Sequence, residues 1–224
     1  MNDNNIDTFY LLDLDRTLFN TEKAMVVMRG VVDTHSTELA AAMTQRFEEF
    51  TITGESFSVR DFILERVGEE EMQGIEAAYR EASLKQDLLN PGAVELIEYI
   101  RQKPRAELGI LTYGSPLGQA MKIAGAAGLE SIRFMVTDET HKGALIATWR
   151  REDGQYVLPA QMGGYVAKHI VFVDDKPFSF TGLPIDVTGY LVQTDNVAKE
   201  TTPPHITSIE TLADIITTEK IDKA

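Results

Sequence analysis

The sequence predicts an α/β protein: a Rossmann-like, doubly wound parallel sheet with an all-helical domain inserted after the first strand. Three observations carry this. Short apolar runs of strand length recur along the chain, amphipathic helical patterns separate them, and one region, residues 20–88, has helical periodicity with no buried-strand run. The 224 residues, 43% of them hydrophobic, suffice for one good core and a modest accessory domain.

The first run, DTFYLLDL over residues 7–14, suits a fully buried strand. ELGILTYG (107–114), IRFMVTDE (132–139), HIVFVDD (169–175) and, more weakly, GYLVQT (189–194) repeat the pattern. Between them, NPGAVELIEYIRQK predicts a helix with Asn90 as N-cap and Pro91 at the first helical position, presenting Ala93, Leu96, Ile97 and Ile100 on one face. SPLGQAMKIAGAAGLE (115–130) predicts a helix ending on Gly128, and SIETLADIITTE (208–219) a closing helix entered through Ser208-x-x-Thr211.

The inserted region holds two long helical stretches, residues 34–50 and 58–86, the second opened by Ser58 with Asp61 in its first turn. The domain boundaries are therefore 1–19 and 89–224 for the α/β core and 20–88 for the helical domain. An insert that leaves the sheet just after its first strand belongs over the carboxyl edge. Residues 143–168 are ambiguous. ATWRREDGQYVLPAQMGG places Asp153-Gly154 between alternating residues, a type I′ hairpin signal, but a helix ending near Arg150 and a short loop also fits.

Charge and composition narrow the function classes. A formal net charge of -14 argues against nucleic acid or an anionic membrane as partner, since both demand basic patches. No apolar run approaches the ~20 residues that span a bilayer, and the opening MNDNNIDTFY has no secretory pattern. With no cysteine present, thiolate chemistry and disulfides are excluded, and a reducing, cytoplasmic location is expected. The four histidines show no ligand spacing, Trp149 reads as a packing residue, GEEEMQGIE as a solvated helix face, and no Gly-rich phosphate loop of the nucleoside triphosphatase kind occurs.

The strand ends carry the chemistry. Open parallel sheets bind ligands at the carboxyl ends of their strands. There the first run delivers Asp13 and Asp15, the second Thr112 with Tyr113 and Gly114, the third leads to Lys142, and the fourth delivers Asp174 and Asp175. Carboxylates brought together repel unless a hard cation lies between them, which implies Mg2+. A carboxylate can also attack phosphorus directly.

These residues resemble the haloacid dehalogenase superfamily, in particular its phosphatases with a small helical cap. DLDRT matches the family's Asp-x-Asp-x-Thr after a hydrophobic strand, Thr112 its strand-ending hydroxyl, Lys142 its lysine, and VFVDD its acid pair. The resemblance implies that Asp13 is the nucleophile and a metal ligand, and Asp15 the general acid and base, with its carbonyl near the metal. It implies that Thr112 and the backbone of Leu14 hold the phosphoryl oxygens, that Lys142 neutralises charge, and that Asp174 and Asp175 complete the Mg2+ site. Arg16, Thr17, Tyr113 and Gly114 would line the substrate. The implied activity is a Mg2+-dependent phosphomonoester hydrolase on a small phosphorylated metabolite, through an aspartyl-phosphate, as monomer or homodimer.

Lys176, after the acid pair, and Lys168, before the fourth strand, are the other candidates for the lysine. Position 16 is often Gly in the family and here is Arg16. The rival readings are a haloacid dehalogenase, a phosphomutase, and a non-catalytic binding module on the same fold. A dehalogenase needs neither Asp15 nor a metal, and a retired module should have lost an acid.

Overall fold

A computed structural model describes residues 4–53, 56–193 and 205–221. The chain divides into two compact units: Met1–Phe19, Leu89–Thr112 and Ile132–Ala224 form one, and Asn20–Leu88 with Tyr113–Ser131 the other. Among the described residues no helix is long and apolar enough to cross a membrane.

The sheet comprises β1 (Asn5–Leu12), β2 (Ala106–Tyr113), β3 (Arg133–Thr137), β4 (Tyr156–Val157), β5 (Val166–Asp174), β6 (Thr188–Val192) and β7 (Ile206–Ile209). Their order is β3-β2-β1-β5-β6-β7, with β4 attached antiparallel to β5. β1 pairs parallel with β2 and β5, β5 with β6, and β6 with β7. Chain progression thus reverses at the β1–β5 junction, where doubly wound sheets bind their ligands. Successive side chains alternate between faces. Phe9 and Leu11 enter a core with Leu111, Ile146, Trp149, Tyr156 and Phe172, so Trp149 is a packing residue. Tyr10, on the opposite face, donates its hydroxyl to Glu219, which also pairs with Lys103 and Tyr99.

Helix α5 (Ala93–Gln102) buries Ala93, Leu96, Ile97 and Ile100, but starts later than its predicted cap. Gly92, left-handed at φ 82°, is the N-cap, and the Asn90 amide instead donates to the Thr17 carbonyl at 2.9 Å. The C-terminal segment differs more. Ser208 lies in β7, and the helix there, α8 (Ala213–Ile221), is entered through Asp214, whose carboxylate accepts from the backbone N–H groups of Glu210 and Thr211. The predicted strand 189–194 is β6, shorter at its end, and Thr194 lies outside the described residues.

The ambiguous stretch resolves into both of its alternatives in shortened form. A six-residue helix, α7 (Lys142–Ala147), is followed by a turn over 151–155 leading into β4. Gly154 is left-handed at φ 82° and its N–H donates to the Arg151 carbonyl at 3.1 Å, while Arg151 N–H donates to the Gln155 carbonyl. Only the glycine has positive φ, so this is a three-residue loop with a bulge rather than a type I′ turn, which needs positive φ at Asp153 too.

In the helical unit, α1 (Thr21–Asp33), α2 (Thr37–Thr53), α3 (Val59–Val67), α4 (Glu69–Ser83) and α6 (Pro116–Gly125) enclose a second core of Met28, Val32, Met43, Ile63, Met72, Ile75 and Tyr79. Ser58 caps α3, accepting from Asp61 N–H. The stretch 58–86 is two helices, because Gly68 at φ 80° interrupts it. Helix α6 stops at Gly125, short of the predicted Gly128, which lies in a following turn with its N–H bonded to Glu130. Glu69, Glu70 and Glu71 are exposed while Met72 and Ile75 are buried, as a solvated face requires.

Candidate active site

The two central strands end level with each other. Leu12 is in register with Val173, and the Asp13 N–H donates to the Val173 carbonyl at 2.9 Å, so Asp13 and Asp174 leave adjacent strands side by side. Asp13 (4% exposed), Asp174 (0%), Asp175 (2%) and Lys142 (3%) are buried. The Lys142 ammonium donates to the carboxylates of Asp13 and of Asp174, the latter at 2.8 Å. Asp174 also accepts the Lys176 backbone N–H at 2.9 Å.

One carboxylate oxygen each from Asp13, Asp174 and Asp175 lies within 4.8 Å of the others. At that separation and an effective dielectric near 20, each pair of charges repels by roughly 3 kcal/mol, more than one lysine offsets for three carboxylates. An oxygen-only donor set with no His or Cys suits a hard divalent cation. Asp175 Oδ1, buried without a hydrogen-bond partner, fits the same need. Asp15 is not in this trio; its charge acts on Asp13 from nearby.

Burial pushes the Asp13 carboxyl up to about 6, with Asp174 and Asp15 adding to the shift and Lys142 opposing it. Burial, then Asp174 and Asp13, drives Asp175 well above the ordinary carboxylate range. Burial disfavours the Lys142 ammonium, but Asp13 and Asp174 outweigh it and hold that pKa above normal. The folded state therefore binds these carboxyl protons more tightly than the unfolded chain. Without divalent cation, stability should decline as pH rises from the ordinary 3.8 through about 6. Glu219, whose pKa is lowered from 4.5, acts with the opposite sign but only below that value. A cation that binds the ionised trio reverses the decline. Thermal unfolding across pH should show Mg2+ raising Tm more at pH ~7.5 than at pH ~5; an equal effect at both would contradict this account.

Other residues complete the edge. Thr112, at the end of β2, and Thr17 are buried, each with a hydroxyl that has no hydrogen-bond partner. Leu14 is fully buried and its carbonyl accepts from Phe19 N–H; Arg16 N–H donates to the Phe19 carbonyl. These bonds fold residues 13–19 into a compact loop. Arg16 is left-handed at φ 61°, which costs a non-glycine residue roughly 1 kcal/mol and explains why glycine suits this position. Tyr113 and Gly114 fall in the helical unit, where Gln119 donates to the Tyr113 carbonyl at 2.7 Å.

The three lysines separate. Lys168 is exposed and pairs with Asp7 near the start of β1, at the sheet's other end. Lys176 is half-buried, its ammonium 5.6 Å from the centre of the Phe178 ring. Lys142 alone of the three is bonded to Asp13. Asn90, predicted as a helix cap, ties the 13–19 loop instead. Nothing local in the sequence separates those two uses of an asparagine.

The chain is similar over 98% of its length, and over 99% of the other's, to a haloacid dehalogenase-like hydrolase from Burkholderia xenovorans, with TM-score 0.64 and 18% identity. The chain has the haloacid dehalogenase-like fold. Two other solved structures share this dehalogenase-like fold at lower similarity. A variant of CbbY from Rhodobacter sphaeroides, in complex with xylulose-(1,5)-bisphosphate, aligns over 93% of this chain and 96% of its own, with TM-score 0.52 and 15% identity. An L-2-haloacid dehalogenase aligns over 96% and 98%, with TM-score 0.54 and 14% identity. No protein-family model and no curated protein sequence matches the chain.

Proposed function

We propose that the chain is a Mg2+-dependent phosphomonoester hydrolase that acts on a small phosphorylated metabolite through an aspartyl-phosphate on Asp13. What supports this is the meeting of Asp13, Lys142, Asp174 and Asp175 in one buried cluster at the β1–β5 junction. In this reading an Asp13 oxygen attacks phosphorus and the bond to the ester oxygen breaks. Asp15 gives its proton to the leaving alkoxide. It then takes a proton from the water that attacks the aspartyl-phosphate, and inorganic phosphate leaves.

The Thr112 hydroxyl, which lacks a protein partner, and the Leu14 backbone N–H hold the transferring oxygens, while Lys142 offsets their charge. Asp13, Asp174, Asp175 and the Asp15 carbonyl would hold Mg2+, which when bound supplies positive charge to the nucleophile and the phosphoryl group. In this reading residues 1–19 and 89–224 are the catalytic core domain and residues 20–88 the cap domain, and Arg16, Thr17, Tyr113 and Gly114 are the residues that contact substrate.

A dehalogenase is the second reading, favoured by the similarity to an L-2-haloacid dehalogenase. Displacing halide takes one carboxylate and no cation, which leaves Asp174 and Asp175 beside Asp13 without a purpose. The test is a screen of sugar phosphates, nucleoside monophosphates, phosphoglycolate and p-nitrophenyl phosphate, run beside 2-haloacids, with Mg2+ and with chelator. Phosphate release that chelator abolishes is expected. Halide release without phosphate release, indifferent to chelator, would overturn the proposal.

A further inference from the structure

We propose that Gly143 is a positioning residue: its missing side chain lets the helix that carries Lys142 rest directly on the backbone that follows the acid pair. The inference builds on the phosphatase reading, in which Lys142 offsets phosphoryl charge. Lys142 is the first residue of α7, and Gly143 the second. A Cβ placed on Gly143 would lie 2.8 Å from Leu183 N and from Thr181 O, and 2.9 Å from Phe180 O. All three are backbone atoms, so no rotamer change relieves the clash. The same contact is tight from the other side, where a Cβ on Gly182 would lie 3.1 Å from Ala144 Cα.

Both partners are fastened elsewhere, so neither can yield freely. The segment after the acid pair is closed by four hydrogen bonds. Lys176 N–H donates to Asp174 Oδ1, Ser179 N–H to the Lys176 carbonyl, Thr181 N–H to the Phe178 carbonyl, and Leu183 N–H to the Phe180 carbonyl. Helix α7 is anchored through buried Ile146 and, just beyond it, Trp149, whose carbonyl accepts Val157 N–H at 2.8 Å. The glycine contact therefore sets the register between the lysine and the acid pair. The Lys142–Asp174 bond is 2.8 Å long, and an outward shift of about 1 Å would take it beyond hydrogen-bonding range. A displacement of that size costs on the order of 100-fold in rate.

The test compares Gly143→Ala with Ile146→Val, a cavity-forming change in the same helix that leaves the backbone contact intact. Two quantities are read: kcat against KM, and the 15N resonance of the Lys142 ammonium, which needs no turnover. Gly143→Ala should lower kcat roughly 100-fold with KM within about threefold, and should shift or broaden the ammonium signal. Ile146→Val should preserve both. If Gly143→Ala does not fold, Gly182→Ala presses on the same contact. Because Gly182 is left-handed at φ 77°, it is read against Gly154→Ala, which carries the same backbone strain at φ 82° with no close contact at its Cβ, and only a loss beyond that control supports the inference. An unchanged ammonium signal in the glycine variant, a kcat within about threefold of wild type, or an equal loss in Ile146→Val would each overturn the inference. If the wild type releases no phosphate, the phosphatase reading fails, and the ammonium resonance still decides the positioning role.

Discussion

Asp13→Asn should remove turnover, by roughly 10⁴-fold or more, while leaving the protein folded. On the proposed aspartyl-phosphate route, an amide has the shape of the carboxylate but no anionic oxygen with which to attack phosphorus, so the first step would have no nucleophile. Folding should not suffer. Asp13 is one of three buried carboxylates crowded within 4.8 Å, and neutralising it relieves two repulsions, while Lys142 keeps its bond to Asp174. At neutral pH without divalent cation the variant should therefore melt no lower than the wild type. The measurement is acid-quenched single turnover with 32P-labelled substrate. Wild type should yield a phosphoprotein and the variant none. A variant that still turns over at the wild-type rate would remove Asp13 from its role.

Lys142→Met carries the second large effect, and it strikes stability as well as rate. The substitution keeps much of the buried aliphatic stem but deletes the ammonium that bonds Asp13 and Asp174. Breaking a buried pair by removing one partner costs roughly 3–5 kcal/mol, because the remaining charges are left uncompensated. Activity should fall by about 10²–10³-fold through loss of transition-state charge stabilisation. The pH dependence separates this from a packing defect. Without Lys142 the folded carboxyls hold their protons more tightly still, so the variant's stability should fall more steeply with rising pH. Its deficit in Tm should be small at pH ~4.5, large at pH ~8, and partly restored by Mg2+. A deficit that is the same at every pH would mean that Lys142 contributes only packing.

Much of the architecture was legible because the relevant forces act locally. Strands β1, β2 and β5 are buried on both faces, so their sequences are continuous apolar runs that stand out from amphipathic helices. What failed depended on distant partners. Residues 206–209 are a strand only because β6 offers its edge. Asn90 turned from the helix it was expected to cap towards the Thr17 carbonyl, 73 positions away in sequence. The Asp153-Gly154 turn kept its place but changed type. In that case the flanking pairings, Arg150 with Tyr156 and β4 with β5, determined which loop would close.

The same division holds at the candidate site. The sequence by itself determined which residues stand at strand ends, since each continuous apolar run breaks off at a polar residue, which places Asp13 after β1, Thr112 at the end of β2, and Asp174 and Asp175 at the end of β5. It left three lysines open, because a side chain's partner depends on which strands lie side by side. Tertiary structure decided that. The order reversal at β1–β5 puts Asp13 beside Asp174, and the backbone contact of Gly143 with residues 180–183 puts the Lys142 ammonium against both. Burial then makes the arrangement consequential, since charges this close in water would be screened, whereas here they must be neutralised by one another or by a cation.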